Sequence, residues 1–193
     1  MKVRKILSSL SLICFIALIG MLCAANAVTL DFEDMPDLTN VGNFYASYGV
    51  RFANAISLTA GFSLNEFDYP PSSGDIAIGD DYAPIIISFE NPAENIFANF
   101  TYGSQLTFTA YDGSGSVIGS YINPGRFNYG GTELISLGFT SVSSLRIAGE
   151  WDGSFIMDDF HFDFASASAV PEPGTLALLG IGLIGCVVNF RKK

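Results

Sequence analysis

An all-β fold, an antiparallel β-sandwich of jelly-roll type, is what this sequence predicts, on three observations. Short stretches of apolar alternation recur from Val28 to Phe164, the period-two signature of strands with one buried face. Turn-forming clusters such as Pro70-Pro71-Ser72-Ser73-Gly74 and Asn123-Pro124-Gly125 separate them at short intervals. No amphipathic helix lies between the stretches, which removes parallel crossover units and leaves antiparallel pairing.

The predicted strands are Val28–Glu33, Gly49–Ala53, Asp75–Ile78, Ile85–Phe89, Ile96–Tyr102, Gln105–Tyr111, Val117–Ile122, Glu133–Leu137, Ser144–Ala148 and Phe155–Phe164. In the first, Val28, Leu30 and Phe32 alternate with Thr29, Asp31 and Glu33. Val50 and Phe52 do the same around Arg51. Asn91-Pro92 ends the run of isoleucines, and Asn91–Asn95 reads as one short turn. Gln105–Ile122 is the clearest hairpin: Leu106, Phe108 and Ala110 share one face, and Thr107, Thr109 and Tyr111 the other. Its loop, Asp112-Gly113-Ser114-Gly115, supplies residues that tolerate positive φ. Gly130-Gly131 precedes Glu133–Leu137. Most of the seventeen phenylalanines lie in this body and fill the space between two sheets. The body, residues 28–164, is one domain without an internal repeat, and residues 165–169 (Ala-Ser-Ala-Ser-Ala) are a flexible linker.

Both ends are targeting segments. Residues 1–27 read as a signal peptide: Lys2, Arg4 and Lys5, then apolar Ile6 to Leu22, then Ala25-Asn26-Ala27 as a small-x-small cleavage site. Cys23 does not mark a lipoprotein, because Leu22 stands where a small residue is required. At the other end Val170-Pro171-Glu172-Pro173-Gly174 precedes an apolar run, Leu176 to Val188, and a terminal Arg191-Lys192-Lys193. The prolines stop a helix from running back into the body. Gly174 to Phe190 would span about 25 Å as a helix, a little short of a hydrocarbon core of about 30 Å. The three cations belong on the cytoplasmic side.

Cys14 and Cys23 lie in the first segment and Cys186 in the last, so the body has no disulfide framework and no cysteine metal site. The body holds three cations, Arg51, Arg126 and Arg146, against eighteen acids, a formal charge of −15. That excess repels nucleic acid and anionic headgroups and favours divalent cations. Acidity for solubility alone reads the same composition.

The candidate chemistry is carried by carboxylates and aromatics. The first and last strands of a jelly roll often lie side by side, which would bring Asp31 and Glu33 against Asp158 and Asp159. Such a cluster, with backbone carbonyls, supplies the about six to eight hard oxygens of a calcium ion. By alternation Asp158 falls in the apolar phase of Phe160, Phe162 and Phe164, so it needs a partner. Solvated edge-strand charges are the plainer reading. Gly79-Asp80-Asp81 and Asp112-Gly113-Ser114-Gly115 read as tight turns. Trp151, flanked by Glu150 and Asp152 in a loop, suits stacking on a sugar ring with hydroxyl recognition beside it; a packing role is the alternative. Tyr45, Tyr48, Tyr69, Tyr82 and Tyr129 also fall in loop-like stretches. His161 is the one histidine and reads as a surface strand residue. No nucleophile elbow, phosphate loop or zinc spacing occurs, so no catalytic residues are assigned and the protein is read as non-enzymatic.

The C-terminal arrangement of Pro171, Glu172 and Pro173, the helix Leu176–Val188 and the cations Arg191–Lys193 resembles the PEP-CTERM sorting signal of bacterial exopolysaccharide-associated exported proteins. That resemblance implies sorting by a membrane-embedded exosortase, removal of the helix near the Pro-Glu-Pro motif, and a bacterium with an outer membrane. An ordinary tail anchor is the other reading. The acidic strands resemble the Phe-Glu start and Asp-Asp-hydrophobic finish of MAM-like and carbohydrate-binding jelly rolls. There the pairing holds a structural calcium, which maps onto Glu33 and onto Asp158 or Asp159. The sequence therefore predicts an exported matrix or surface module, tethered by its tail and binding extracellular polysaccharide. A secreted glycan-active hydrolase and a purely structural matrix protein are its rivals.

Overall fold

A computed structural model describes residues 27–165. The signal segment, nearly all of the linker and the sorting tail lie outside the described residues. The body is all β apart from one 3-10 turn, Ala46–Tyr48. Ten strands follow in order: β1 (Ala27–Leu30), β2 (Val50–Ala53), β3 (Ala55–Thr59), β4 (Ile76–Asp80), β5 (Ile85–Tyr102), β6 (Thr107–Tyr111), β7 (Val117–Ile122), β8 (Glu133–Leu137), β9 (Val142–Ala148) and β10 (Phe155–Phe164). All their pairings are antiparallel.

The strands form one hydrogen-bonded network folded over on itself, a jelly-roll sandwich. The fold line crosses β5. Its first half pairs with β2 and β9, and its second half with β10 and β8. One layer therefore runs β3-β4-β10-β5-β8, with β1 beside the end of β10. The other runs β2-β5-β9-β6-β7. Asn91–Asn95 is not a separate turn but the bend inside this eighteen-residue strand. Pro92 is tolerated because the ladder to β9 slips between Ser88 and Ala93, where no bond from Pro92 is required.

Strand β3 is not among those the sequence predicts. Asn54, at φ 57°, turns the chain from β2 in one layer to β3 in the other, a left-handed conformation that asparagine tolerates. Its side chain donates to the Pro84 carbonyl at 3.0 Å.

The interior is apolar and aromatic. Phe100 meets Phe108 edge-on at 5.3 Å across the layers, and Phe160 stacks on Phe89 at 6.3 Å. Full burial of one such side chain contributes about 1.5–3 kcal/mol. The outer faces differ. Over the first layer, Leu64 and Tyr69 pack on Leu58, Ala77 and Ile156. Thr101 Oγ1 there reaches the carbonyls of Pro70 at 3.0 Å and Gly131 at 2.8 Å. The second layer's outer face carries two rows in register: Arg51, Ser88, Ser144 and Tyr111, then Ile86, Arg146, Thr109 and Ser120, of which Arg51, Ser88, Ile86 and Ser120 are exposed and the others half-buried.

The sandwich has two unlike ends. Ala27 pairs with Asp163, and the Ala165 amide donates to the Pro92 carbonyl at 2.7 Å, so both exits of the body lie at the fold line. β10 runs from there to Phe155, nine steps or about 30 Å away. At that far end the loops Asp81–Pro84, Gly103–Leu106, Asn123–Thr132 and Gly149–Ser154 gather.

Candidate functional site

The first and last strands do lie side by side, with Leu30 opposite Phe160. Their acids converge on a loop rather than on an open space. Asp158, 1% exposed, accepts hydrogen bonds from the Ser72 and Ser73 amides through Oδ2, both at 2.8 Å, and from the Asp159 amide through Oδ1 at 2.7 Å. Asp159 accepts from the Ser73 hydroxyl at 2.9 Å and from Asn99 at 3.2 Å. Glu33 Oε1 accepts from the amides of Asp75 at 3.0 Å and Ile76 at 2.8 Å. Asp31 accepts from the Glu33 amide at 3.3 Å. Two carboxylates, Asp158 and Glu33, thus clamp the backbone of residues 72–76, and a third, Asp159, holds the Ser73 side chain. The clamp needs a glycine at position 74, where φ is 50° and a Cβ would meet Glu33 Cδ at 2.2 Å.

Simple alternation put Asp158 in the core phase, and this is corrected by a bulge. Asp159 has φ 50°, and the ladder to β5 slips between Asp158 and His161. The slip moves the core phase from Phe155 and Met157 to Phe160 and Phe162. Asp158 falls on the outer side, beside Ile156 and under the clamped loop. Burial pushes its carboxyl up to about 6, against the opposing pull of the Ser73 amide.

This donor set does not fit calcium. The oxygens of Asp158 and one of Glu33 are taken by N–H donors. Among the described residues no three Asp, Glu, His or Cys side chains are gathered closely enough to hold a metal ion. The melting midpoint of the protein is therefore expected to be the same in calcium as in chelator; a fall in chelator would show an ion that this geometry does not provide for.

The loop end is different. Trp151 is 53% exposed in the Gly149–Ser154 connection, and Glu150 and Asp152 beside it are exposed. The loop is anchored from both sides. The Glu150 amide donates to Ser104 Oγ at 3.0 Å, and the Gly153 amide to Asp80 Oδ2 at 2.8 Å. Asp80 is the residue that sequence reasoning left as a turn. Its Oδ1 is buried with no hydrogen-bond partner, and burial, with the charges of Asp152 and Asp81, raises its carboxyl. No periodicity marks such an atom; only the packing of two loops shows it.

More aromatics stand at this end. Tyr69 meets Tyr129 edge-on at 5.3 Å, and Phe127 stacks on Tyr129 at 6.1 Å. Phe67, Tyr82, Phe127 and Tyr129 are all exposed. The tyrosine pair closes over Gly103, where a Cβ would meet the Tyr129 hydroxyl at 2.1 Å. Burial raises the Tyr69 hydroxyl, with the Tyr129 hydrogen bond adding to it. Rings set beside carboxylates can stack on a sugar face and take its hydroxyl protons. Two expected loop tyrosines lie elsewhere: Tyr45 is 2% exposed, its hydroxyl donating to Asp34 at 2.5 Å, and Tyr48 packs near it.

His161 lies along β10, away from these loops. It stacks on Phe97 at 4.2 Å, with Nδ1 2.8 Å from Thr29 Oγ1 and Nε2 3.4 Å from Asp163.

Comparison with known proteins gives two results. The model of the PEP-CTERM protein-sorting motif matches residues 169–193; the chain thus carries the motif of an exported, sorted protein. Among solved structures, a family 29 carbohydrate-binding module is 10% identical, with 78% of this chain and 100% of that chain covered and a TM-score of 0.40. The CBM22-1 xylan-binding domain of Paenibacillus barcinonensis Xyn10C is 14% identical, with 75% and 98% covered and a TM-score of 0.40. TmCBM61 in complex with β-1,4-galactotriose is 15% identical, with 68% and 100% covered and a TM-score of 0.34. No curated protein sequence matches the chain.

Proposed function

We propose that this chain is an exported, non-catalytic polysaccharide-binding module, tethered at the inner membrane by its tail before sorting to the cell surface or matrix. One observation carries the reading. Exposed rings and carboxylates gather at the end opposite both chain exits, and the sorting motif begins four residues beyond Ala165. A tether at the fold line would hold Trp151 and its neighbours about 30 Å outward, the length of β10. The mechanism is passive: a rigid sandwich presents Trp151, Phe127 and Tyr129 for stacking, while Glu150 and Asp152 accept hydrogen bonds from the sugar hydroxyls and Asp80 anchors their loop. Exosortase would act on the Pro171-Glu172-Pro173 segment, and Arg191, Lys192 and Lys193 would hold the tail's cytoplasmic end.

Binding fits better than hydrolysis, which needs two carboxyl groups flanking the scissile bond; Glu150 and Asp152 stand exposed side by side on one loop rather than facing each other across a cleft. The test is retention of the full-length protein, in detergent, on immobilised xylan, galactan, cellulose and chitin. At least one should retain it. Trp151→Ala, at an exposed position, should weaken retention about tenfold, the worth of one stacked ring, without shifting the melting midpoint. Retention on none of the four, or an unchanged Trp151→Ala variant, would reject the loop end as the site.

A further inference from the structure

We propose that the outer face of the β2-β5-β9-β6-β7 layer is a second binding surface, one that takes an acidic, uronate-bearing polysaccharide through Arg51 and Arg146. This site is separate from the loop end and does not depend on it.

The inference starts from where the charges are. The body carries eighteen acids and three arginines. Spread evenly, its acids would reach every face. Yet the two rows in register on this face hold no Asp or Glu, and they hold two of the three arginines. The nearest acid is Glu90, exposed at the next outward position of β5 after Ser88, where its amide donates to the Gly49 carbonyl at 2.8 Å, and Asp112 stands in the hairpin turn. Neither arginine has a carboxylate within 4 Å; among the described residues the one ion pair is His161–Asp163. In a body of net charge −15, all three arginines lack an ion-pair partner among the described residues, and two of them share this one face, which needs a reason. Arginine left bare offers a planar fork of donors that matches a carboxylate in two parallel bonds.

The geometry favours an extended ligand. Arg51 faces Ser88, and Arg146 faces Ile86, two residues back along β5 on the same side. With strands about 4.8 Å apart and a rise of about 3.3 Å, the two Cα atoms lie about 12 Å apart. Ser88 and Ser144 stand between them, and Thr109 and Tyr111 follow on β6. Fixed cations separated by hydroxyls suit a chain of acidic sugars, whose carboxylates recur and whose hydroxyls fill the intervals. An anionic bilayer would meet the field of the whole acidic body. A polymer lying flat on this face is shielded from distant acids, since charges are screened over about 8 Å at physiological salt.

The test uses full-length protein in detergent, on immobilised alginate, in chelator so that no divalent cation bridges acid to acid. Retention is expected at 0.15 M salt and should weaken as salt rises. Soluble alginate should displace the protein; a neutral glucan and inorganic phosphate should not. Arg51→Gln with Arg146→Gln should reduce retention at least about tenfold, the loss of one charge-assisted contact or more. Ser88→Glu, which puts an acid on the face at an exposed position, should do the same with both arginines present. Arg126→Gln, in a loop at the far end, and Trp151→Ala should leave alginate retention unchanged. No retention of the wild type would overturn the proposal. So would an equal loss in Arg126→Gln, which would mean net charge alone, or displacement by phosphatidylglycerol micelles, which would mean a lipid surface. Loss in Trp151→Ala would mean that the alginate sits at the loop end instead.

Discussion

Asp158→Ala is expected to lower the melting midpoint by about 10 °C. The carboxylate is 1% exposed and accepts three backbone N–H groups, two of them from the Ser72–Ser73 loop. Each buried donor left without a partner costs about 1–3 kcal/mol. Water entering the vacated space recovers part of this, so about 3 kcal/mol is the expected loss. At about 4 °C per kcal/mol for a domain of this size, that gives the shift. Differential scanning calorimetry would measure it, and a shift under about 3 °C would mean that the loop is held mainly by Glu33 and Asp159.

The pH dependence has a definite sign. Burial holds the Asp158 carboxyl at about 6, above the unfolded value of about 3.9. Between these values the folded state binds more protons than the unfolded one. This group's contribution to stability therefore falls as pH rises from about 4 to about 6, and is largest below about 4. Asp37 and Asp112 have lowered carboxyls, set mainly by hydrogen bonds from Ser63 and Ser114, and they act the other way. They are shared by the wild type and the variant. The gap between the two midpoints should therefore widen as pH is lowered from 7 to 4.5. A gap that narrows would show that the three N–H bonds outweigh burial.

Phe160→Ala should cost more, about 3–5 kcal/mol, the usual range for truncating a buried phenylalanine. Phe160 is 1% exposed. Its ring lies 5.9 Å from Phe52 on β2, 6.3 Å from Phe89 on β5 and 5.6 Å from Phe162. It thus joins β10 in one layer to two strands of the other. Rings packed on both sides cannot collapse inward without opening space elsewhere, so the upper part of the range is expected. The midpoint should drop by about 15 °C. Phe160→Leu should recover most of it. A Phe160→Ala loss under about 1 kcal/mol would contradict close packing at the crossing of the layers.

The strand content was largely legible in the sequence because period-two alternation is a local signal. The places where reading failed are those where the backbone leaves that period. The Asn54 corner hid β3, since Val50 to Thr59 looks like one strand followed by a loop. Pro92 looked like a breaker, although a bulged position in β5 accommodates it. The bulge at Asp159 inverted the assignment of Asp158. The adjacency of the acidic end strands was foreseen, but not that Ser72–Ile76 would insert its amides between them. A loop's reach cannot be read from spacing. The same limit hid Asp80, which is 73 residues from Gly153 along the chain yet bonded to its amide. The bare face of Arg51 and Arg146 needed the register of five strands, which no single stretch contains.

One strand serving both layers has a consequence for how the body opens. The strands β2 and β9 on one side, and β8 and β10 on the other, all pair with β5. Neither layer can exchange its protons with solvent by peeling away while the other stays intact. Both should show a common slow exchange rate governed by complete unfolding, with earlier exchange confined to β7 and the peripheral hairpin it forms with β6.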